Sequence, residues 1–354
     1  MNRILYESRF LINMAASIVR QDDVRPIHGK MDWERMFRIA DYNRIANLIY
    51  LGVLGNENVP ETWRDRFFER YQESLRFGEV CEEGERELLA LLDFKEVSVL
   101  ILESSSRRKL YEMEEMAGEC ALRLYMKPED YSITKGFLID LGYETDRVYN
   151  FCGERMRRPD GFSVEIFDRL PYKAPRFRKQ FKQLFDKARL IPGYDFIYEL
   201  DEKTRLAYLF ARISYLYVTE QLLVRQLLDL CLLHRSLGEE NLDTVWQWLK
   251  KLKIEKLSEK LLGLSYMWFG TKEESARFTI QEELELYDVI ENRILGYGRE
   301  YKETIPEALA LAGVILKEEE HETRKARRKL FFQKIEDLRK QLCDCFREYL
   351  RKNE

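Results

Sequence analysis

The chain of 354 residues contains only three histidines, six cysteines, eight prolines and seventeen glycines. The histidines lie far apart in the sequence, which argues against the histidine clusters that bind zinc in metalloproteases. The cysteines form no C-x-x-C pair, a pattern typical of reduced thiols in a cytosolic protein. No run of about 18 apolar residues occurs, and the N-terminus lacks the uninterrupted apolar segment of a signal peptide. We therefore expect a cytoplasmic protein that does not enter a membrane.

Charge of either sign is abundant but nearly balanced, with 59 Lys and Arg against 63 Asp and Glu and a net charge of -4. This balance gives no general attraction to nucleic acids or anionic membranes, so neither is an expected partner. The basic run from Arg324 to Lys329 lacks interleaved aromatic residues. We interpret it as a solvated helix face, with an acidic protein or RNA partner as the alternative.

Helical patterns cover the two ends of the chain, and strand patterns cover its middle. Residues 1–95 and 176–354 show the apolar spacing of amphipathic helices, with Asp32 as a candidate N-cap. Residues 96–175 contain three or four segments with the alternation or apolar runs of strands, including a hairpin turn at Pro159-Asp160-Gly161. We therefore predict an α+β protein, in which a small mixed sheet unit stands between mostly helical N- and C-terminal regions.

Two of the predicted strands alternate clearly enough to assign their faces. The apolar residues that turn to the core in the segments ALRLYM and FSVEIF are Leu122, Leu124, Met126, Phe162, Val164 and Ile166. Arg123 and Glu165 must then project from the opposite, open face. We predict that these two side chains form an ion pair.

The segments that carry a family resemblance are Asp32-Trp33, KPEDYSITKGFLIDLGYE from Lys127, FSVEIF, and the helix with Arg225 and Asp229. In their order and spacing they resemble the uncharacterised nucleotidyltransferase family of the DNA polymerase β-like nucleotidyltransferase superfamily. The resemblance covers most of the chain. It implies a nucleotidyltransferase-like sheet unit and a nucleotide site on it.

The residues that would carry the family's chemistry are altered. Nucleotidyl transfer needs carboxylates at i and i+2 of one strand, which hold two Mg²⁺ ions, and the matching positions read Ala121 and Arg123. Alanine has no ligand atom, and a guanidinium repels a cation. The family's lysine-glycine at the end of the first strand reads Glu103-Ser104. Further family motif positions read Arg212, Tyr215 and Leu216. We interpret the chain as a catalytically degenerate homologue that needs no cofactor and holds no metal.

Two alternatives to a degenerate binding module stay open. An active Mg²⁺-dependent nucleotidyltransferase would move a nucleotide from NTP to a hydroxyl acceptor through Glu119, Glu165 or Asp168, of which Glu165 matches the third carboxylate of the resembled site. Only this alternative requires Mg²⁺. The other is a helical scaffold that binds a protein partner.

The segment after the first strand predicts a phosphate site. Serine hydroxyls, basic side chains and the free backbone N–H groups of a helix start suit an anion, although Glu103 beside them opposes it. The candidate ligand-binding residues are Ser104, Ser105, Ser106, Arg107, Arg108 and Arg123. We expect the ligand to be a nucleotide or another phosphorylated small molecule.

Overall fold

A computed structural model describes residues 3–27, 31–118, 121–149, 152–172, 174–238, 242–279 and 284–295, with residues 324, 325, 328 and 333. Glu119 and half of the basic run from Arg324 to Lys329 lie outside the described residues. The α-helices of the described part are α1 (Arg3–Arg20), α2 (Trp33–Tyr42), α3 (Ala46–Val53), α4 (Glu61–Phe94), α5 (Pro128–Asp140), α6 (Pro175–Phe181), α7 (Glu202–Val218), α8 (Val224–Leu237), α9 (Asp243–Leu252), α10 (Glu255–Phe269), α11 (Lys272–Phe278) and α12 (Leu284–Ile294).

The strands lie between α4 and α7. They are β1 (Val99–Glu103), β2 (Leu122–Met126), β3 (Glu144–Tyr149), β4 (Gly153–Arg157), β5 (Ser163–Phe167), β6 (Ala188–Leu190) and β7 (Ile197–Leu200). They form one mixed sheet in the order β3-β4-β5-β2-β1-β7-β6. β1 is antiparallel to β2 and parallel to β7, while β2 is parallel to β5. The predicted α+β class, with helical regions at both ends of the described chain, is confirmed.

The sheet is larger than the sequence predicts. β6 and β7 lie beyond residue 175, and with three and four residues they are too short for a recognisable alternation. β3 is exposed over almost its whole length, so it has no apolar face to detect. The expected number of three or four strands is therefore too low.

The predicted N-cap at Asp32 is confirmed, but the helical pattern that follows it contains an unexpected break. The Asp32 side chain accepts the backbone N–H of Arg35 at 3.1 Å at the start of α2. The helical pattern from Asp32 to Tyr50 is divided into α2 and α3, and Arg44 between them has φ +56°. Asn43 accepts the backbone N–H of Val224 at 3.1 Å. A contact this distant in sequence stabilises the break, and local periodicity cannot reveal it.

The β4–β5 turn follows the predicted hairpin chemistry. Asp160 accepts the backbone N–H of Phe162 at 3.0 Å. Gly161 has φ +101°, a conformation that only glycine adopts without strain. The turn therefore sets which residues of β4 and β5 face each other.

Two hydrophobic cores hold the fold together. The six residues assigned to the core face of ALRLYM and FSVEIF are all buried and share one core with α4 and α5. A larger core joins the helices and includes Phe167. The 34-residue helix α4 contributes Phe67 to the larger core and Leu92 to the smaller one. None of the described helices combines the length and the apolar character needed to span a lipid bilayer.

Candidate functional site

A row of charged residues crosses four neighbouring strands. Glu103 of β1 lies opposite Arg123 of β2, and Arg123 lies opposite Glu165 of β5. Glu165 in turn lies opposite Arg155 of β4. We call these four residues the charge row. Their signs alternate across the sheet, and opposite charges on facing strand positions stabilise a sheet.

The predicted ion pair between Arg123 and Glu165 is confirmed. The sequence predicts that they project from an open face, but this is wrong, because their side chains are only 12% and 7% exposed and the face is covered. The Arg123 guanidinium also lies over the ring of Phe167, 5.4 Å from its centre. Tyr149 donates its hydroxyl to the other oxygen of Glu165 at 2.7 Å. Arg123 and Glu165 are thus held from several sides.

Burial and charge act in opposite directions on this pair. Burial raises the pKa of Glu165, but Arg123, Tyr149 and the neighbouring arginines outweigh it, so the pKa lies below its ordinary value. Burial lowers the pKa of Arg123, whereas Glu165 and Glu103 raise it well above the ordinary value. Burial and the Glu165 carboxylate raise the pKa of Tyr149 to about 12. Glu165 and Arg123 are therefore both charged at neutral pH, and Tyr149 keeps its proton.

A change of register places Glu103 in the row. Ile101 pairs with Leu124, so an unbroken ladder would set Leu102 opposite Arg123, yet the pairing shifts and Glu103 takes that place. Such an irregularity re-aims a side chain. Glu103 also forms an ion pair with Arg212 of α7. The shift thereby links the sheet to the helix that covers it.

A buried polar cluster on α8 positions Arg107. Asp229 accepts from the Arg107 guanidinium at 2.7 Å and from the Tyr111 hydroxyl at 2.5 Å. One turn earlier, Arg225 donates to Asn47 at 2.6 Å. Burial and the Asp229 charge raise the pKa of Tyr111, which therefore stays protonated and donates. The two residues of the resembled helix, Arg225 and Asp229, are thus brought together at this site.

The charge row borders a cavity of about 610 Å³, between the sheet and helices α7 and α8. Two glutamates, Glu103 and Glu165, line it, together with several tyrosines. Its seven arginines are Arg44, Arg107, Arg123, Arg147, Arg155, Arg212 and Arg225. We call it the arginine cavity. Ala121, Tyr215 and Leu216, three of the positions that the resemblance marks as altered, also line it.

The residues of the predicted phosphate segment do not meet at one site. Arg107 reaches the arginine cavity, whereas the serines do not line it. The backbone N–H of Ser105 is donated to Glu85 at 2.8 Å, and the hydroxyls of Ser104 and Ser106 lie 2.7 Å apart. Arg108 is buried on the other side, where its guanidinium fills the space beside Gly78 of α4. Of the six candidates, the structure brings only Arg107 and Arg123 to this cavity.

The residual carboxylate candidates are not gathered with Glu165. Asp168 does not line the arginine cavity, and its side chain lies 3.5 Å from that of its neighbour Arg169. Glu119 lies outside the described residues. Within the described part of the chain, no group of three or more His, Cys, Asp or Glu side chains could hold a metal ion.

Sequence reasoning missed the arginines of the β3–β4 hairpin. Arg155 could have been found, because counting from the Pro159-Asp160-Gly161 turn sets it opposite Glu165. Arg147 has no such signal, since β3 lacks an apolar face and its pairing with β4 shifts between Thr145 and Arg147. Arg44 reaches the cavity through a helix break that no proline or glycine marks.

Comparison with known proteins gives one match. A sequence model for a family described as "Uncharacterised nucleotidyltransferase" matches residues 29–270, a segment that contains the whole sheet and helices α2 to α10. No curated protein and no solved structure matches the chain. The matched segment includes both the charge row and the helices that cover it.

Proposed function

The chain belongs to the uncharacterised nucleotidyltransferase family, and we propose that it is a catalytically degenerate member that binds a nucleotide or another phosphorylated small molecule in the arginine cavity. The observation that carries this proposal is the buried pair of Arg123 and Glu165. A guanidinium stands where the family reaction needs a carboxylate that binds Mg²⁺.

The residues of the cavity do not fit Mg²⁺. Ala121 has no oxygen in its side chain, and Arg123 carries a positive charge that repels a cation. One oxygen of Glu165 faces Arg123 and the other accepts from Tyr149. A cation at this position would have to displace a buried arginine. We therefore derive no metal-dependent step for this protein.

The cavity has the charge that a polyphosphate requires. Seven arginines against two glutamates leave five positive charges among its lining residues. Asp229 lies beside Arg107, and Asp146 lies beside Arg155. When these two carboxylates are counted as well, three positive charges remain. A nucleoside triphosphate without Mg²⁺ is a multiply charged anion, and arginine binds phosphate oxygens through two parallel hydrogen bonds. The arginines would supply the charge that Mg²⁺ supplies in a metal-dependent relative.

Arg147 is an exposed arginine of this cavity. It lies on an exposed strand, 5.1 Å from the Tyr149 ring centre, and among the described residues no carboxylate pairs with it. Arg123 and Arg212 are each held by a glutamate. Arg147 can therefore contact a phosphate without breaking an ion pair.

The proposal predicts nucleotide binding in the absence of divalent cations. We expect ATP or GTP to bind saturably in EDTA by isothermal titration calorimetry, with affinity that falls as salt rises. Adding Mg²⁺ should weaken binding, because Mg²⁺ neutralises the phosphates that the arginines attract. No pyrophosphate should be released above the level of a heat-inactivated control.

Each contrary result identifies one alternative. Mg²⁺-dependent release of pyrophosphate would establish an active nucleotidyltransferase and overturn the proposal. If neither nucleotides nor inorganic phosphate bind saturably at low salt, the remaining alternative is a helical scaffold that binds a protein. A pull-down would not replace this measurement, because it does not report on the cavity.

Replacing Arg147 with alanine is expected to weaken nucleotide binding about tenfold, a loss of about 1.4 kcal/mol. The protein should keep its stability, because Arg147 is exposed and its charge has no carboxylate partner in the described part. Arg189→Ala is the matched control. Arg189 lies on the opposite edge strand, is 63% exposed and does not line the arginine cavity. Equal affinities of the two variants would place the ligand elsewhere.

A further inference from the structure

A second, smaller cavity of about 360 Å³ adjoins the arginine cavity. We call it the apolar chamber. Glu103, Arg107, Arg212 and Gln226 line both spaces and form the wall between them. The other walls are mainly apolar and aromatic, and include Leu89, Ile101, Leu110, Tyr194, Tyr208 and Leu209. A cavity of this size and composition can enclose the apolar body of a small organic ligand.

One carboxylate of the chamber differs from the others. Glu103 is paired with Arg212, Asp229 with Arg107, and Glu199 with Arg205. Glu85 of α4 instead accepts hydrogen bonds from Ser105, whose backbone N–H lies 2.8 Å from its carboxylate and whose side chain also donates to it. Arg86 also lines the chamber, but it faces Glu83 at 3.9 Å, and within the described residues no basic side chain forms an ion pair with Glu85. Burial and the nearby charge of Glu82 raise the pKa of Glu85 by more than the hydrogen bonds from Ser105 lower it, and no arginine contributes.

Glu85 thus lies next to an apolar space without a positively charged partner. A carboxylate that is largely removed from water is costly without a charged partner. A ligand that brings an ammonium group to Glu85 would remove this cost. The same ligand would bury its apolar part against Leu89, Leu110 and Leu209. An anionic ligand would meet Glu85 and Glu82 and be repelled.

We propose that the apolar chamber is a binding site for a small organic amine with an apolar or aromatic body, whose ammonium group pairs with Glu85. This site is separate from the arginine cavity and does not depend on the function proposed for it. The arginine cavity has an excess of positive charge, while the chamber has one carboxylate in excess of its ion pairs. The two spaces therefore select ligands of opposite charge.

Three probes of similar shape test the charge requirement on the full chain by isothermal titration calorimetry. We expect phenethylamine to bind saturably and at least tenfold more tightly than the uncharged 2-phenylethanol. The anionic 3-phenylpropionate should show no saturable binding. Equal affinities of the amine and the alcohol, preference for the carboxylate, or no binding of phenethylamine and the larger tryptamine would each overturn the proposal.

Two variants locate the binding. Glu85→Gln keeps an oxygen that can accept from Ser105 but removes the charge, so amine affinity should fall at least tenfold while 2-phenylethanol affinity stays the same. Glu79→Gln, on the same helix but exposed and outside the chamber, should change neither affinity. Leu209→Trp, which fills the chamber, should abolish binding of both probes. If Leu209→Trp abolishes amine binding and Glu85→Gln does not weaken it, Glu85 is not the partner and the proposal is wrong.

Discussion

Replacing Arg123 with methionine is expected to destabilise the protein by about 3 to 5 kcal/mol, the loss typical of removing one partner from a buried ion pair. The effect is large because Arg123 stands between two carboxylates, Glu103 and Glu165. Without the guanidinium, these two negative charges remain at a covered site. Urea unfolding followed by circular dichroism measures the change in the free energy of unfolding.

A double variant distinguishes the contribution of the ion pair from that of side-chain packing. Arg123→Met combined with Glu165→Gln should be less destabilised than Arg123→Met alone, because an unpaired buried charge is removed with its partner. Arg189→Ala, which removes a largely exposed partner of Glu199, should cost at most about 1 kcal/mol. If the loss of unfolding free energy in the double variant equals the sum of the losses in Arg123→Met and Glu165→Gln measured singly, the two charges do not act as a pair.

The same pair predicts a dependence on pH. The pKa of Glu165 is lower in the folded protein than its ordinary value of 4.5, so its ionised form stabilises the fold. This stabilisation is fully present when the pH lies above the ordinary pKa of 4.5. It is lost as the pH falls through the lower pKa of the folded protein. The difference in unfolding free energy between the natural protein and Glu165→Gln should therefore shrink on acidification.

Restoring the family's metal ligands with Ala121→Asp and Arg123→Asp is expected to make stability depend on divalent cations. Without a cation, the introduced carboxylates face Glu103 and Glu165, and we expect a loss at least as large as that of Arg123→Met. Mn²⁺ at about 100 times its Kd would return about 2.7 kcal/mol. Thermal unfolding with and without Mn²⁺ measures this response, which the natural protein should not show.

The restored variant should still fail to transfer nucleotides efficiently. By the resemblance, Glu103 and Ser104 stand where the family has lysine-glycine, and Arg212 stands at another position of its site, so we expect the metal ligands to be only one of several losses. Ala121→Asn with Arg123→Asn is the control, because it changes the same positions without adding negative charge. Mn²⁺-dependent release of pyrophosphate by the Asp variant alone would show that the rest of the reaction machinery is intact.

Local patterns predicted the parts of the site that depend on strand alternation. Leu122 and Leu124 assign one face of β2 to the core, and the same parity sends Arg123 to the other face, where it meets Glu165. The sequence could not show that this face is covered, since the covering helices α7 and α8 begin 35 and 57 residues after β5 ends. It also missed Glu103 as a partner, because that pairing depends on a shift of register within β1.

Contacts between residues far apart in the sequence were even harder to predict. The break between α2 and α3 depends on Asn43 and Val224, which are 181 residues apart in sequence. Arg225 and Asp229 were identified only through a family resemblance, and their contacts with Asn47 and Arg107 lie across 178 and 122 residues. Hydrophobic periodicity describes which face of an element is buried. It carries no information on which distant polar group will meet that face.

Helix α4 has a consequence for how the protein loses its structure. At 1.5 Å per residue, its 34 residues extend about 51 Å, and its two ends belong to different hydrophobic cores. Gly78 and Gly84 admit the Arg108 guanidinium and the Phe162 ring against its backbone, so the helix is also locked to its neighbours between those ends. Unfolding of either core exposes part of a helix that the other core also uses. We therefore expect the sheet and the N-terminal helices to unfold together, despite having separate interiors.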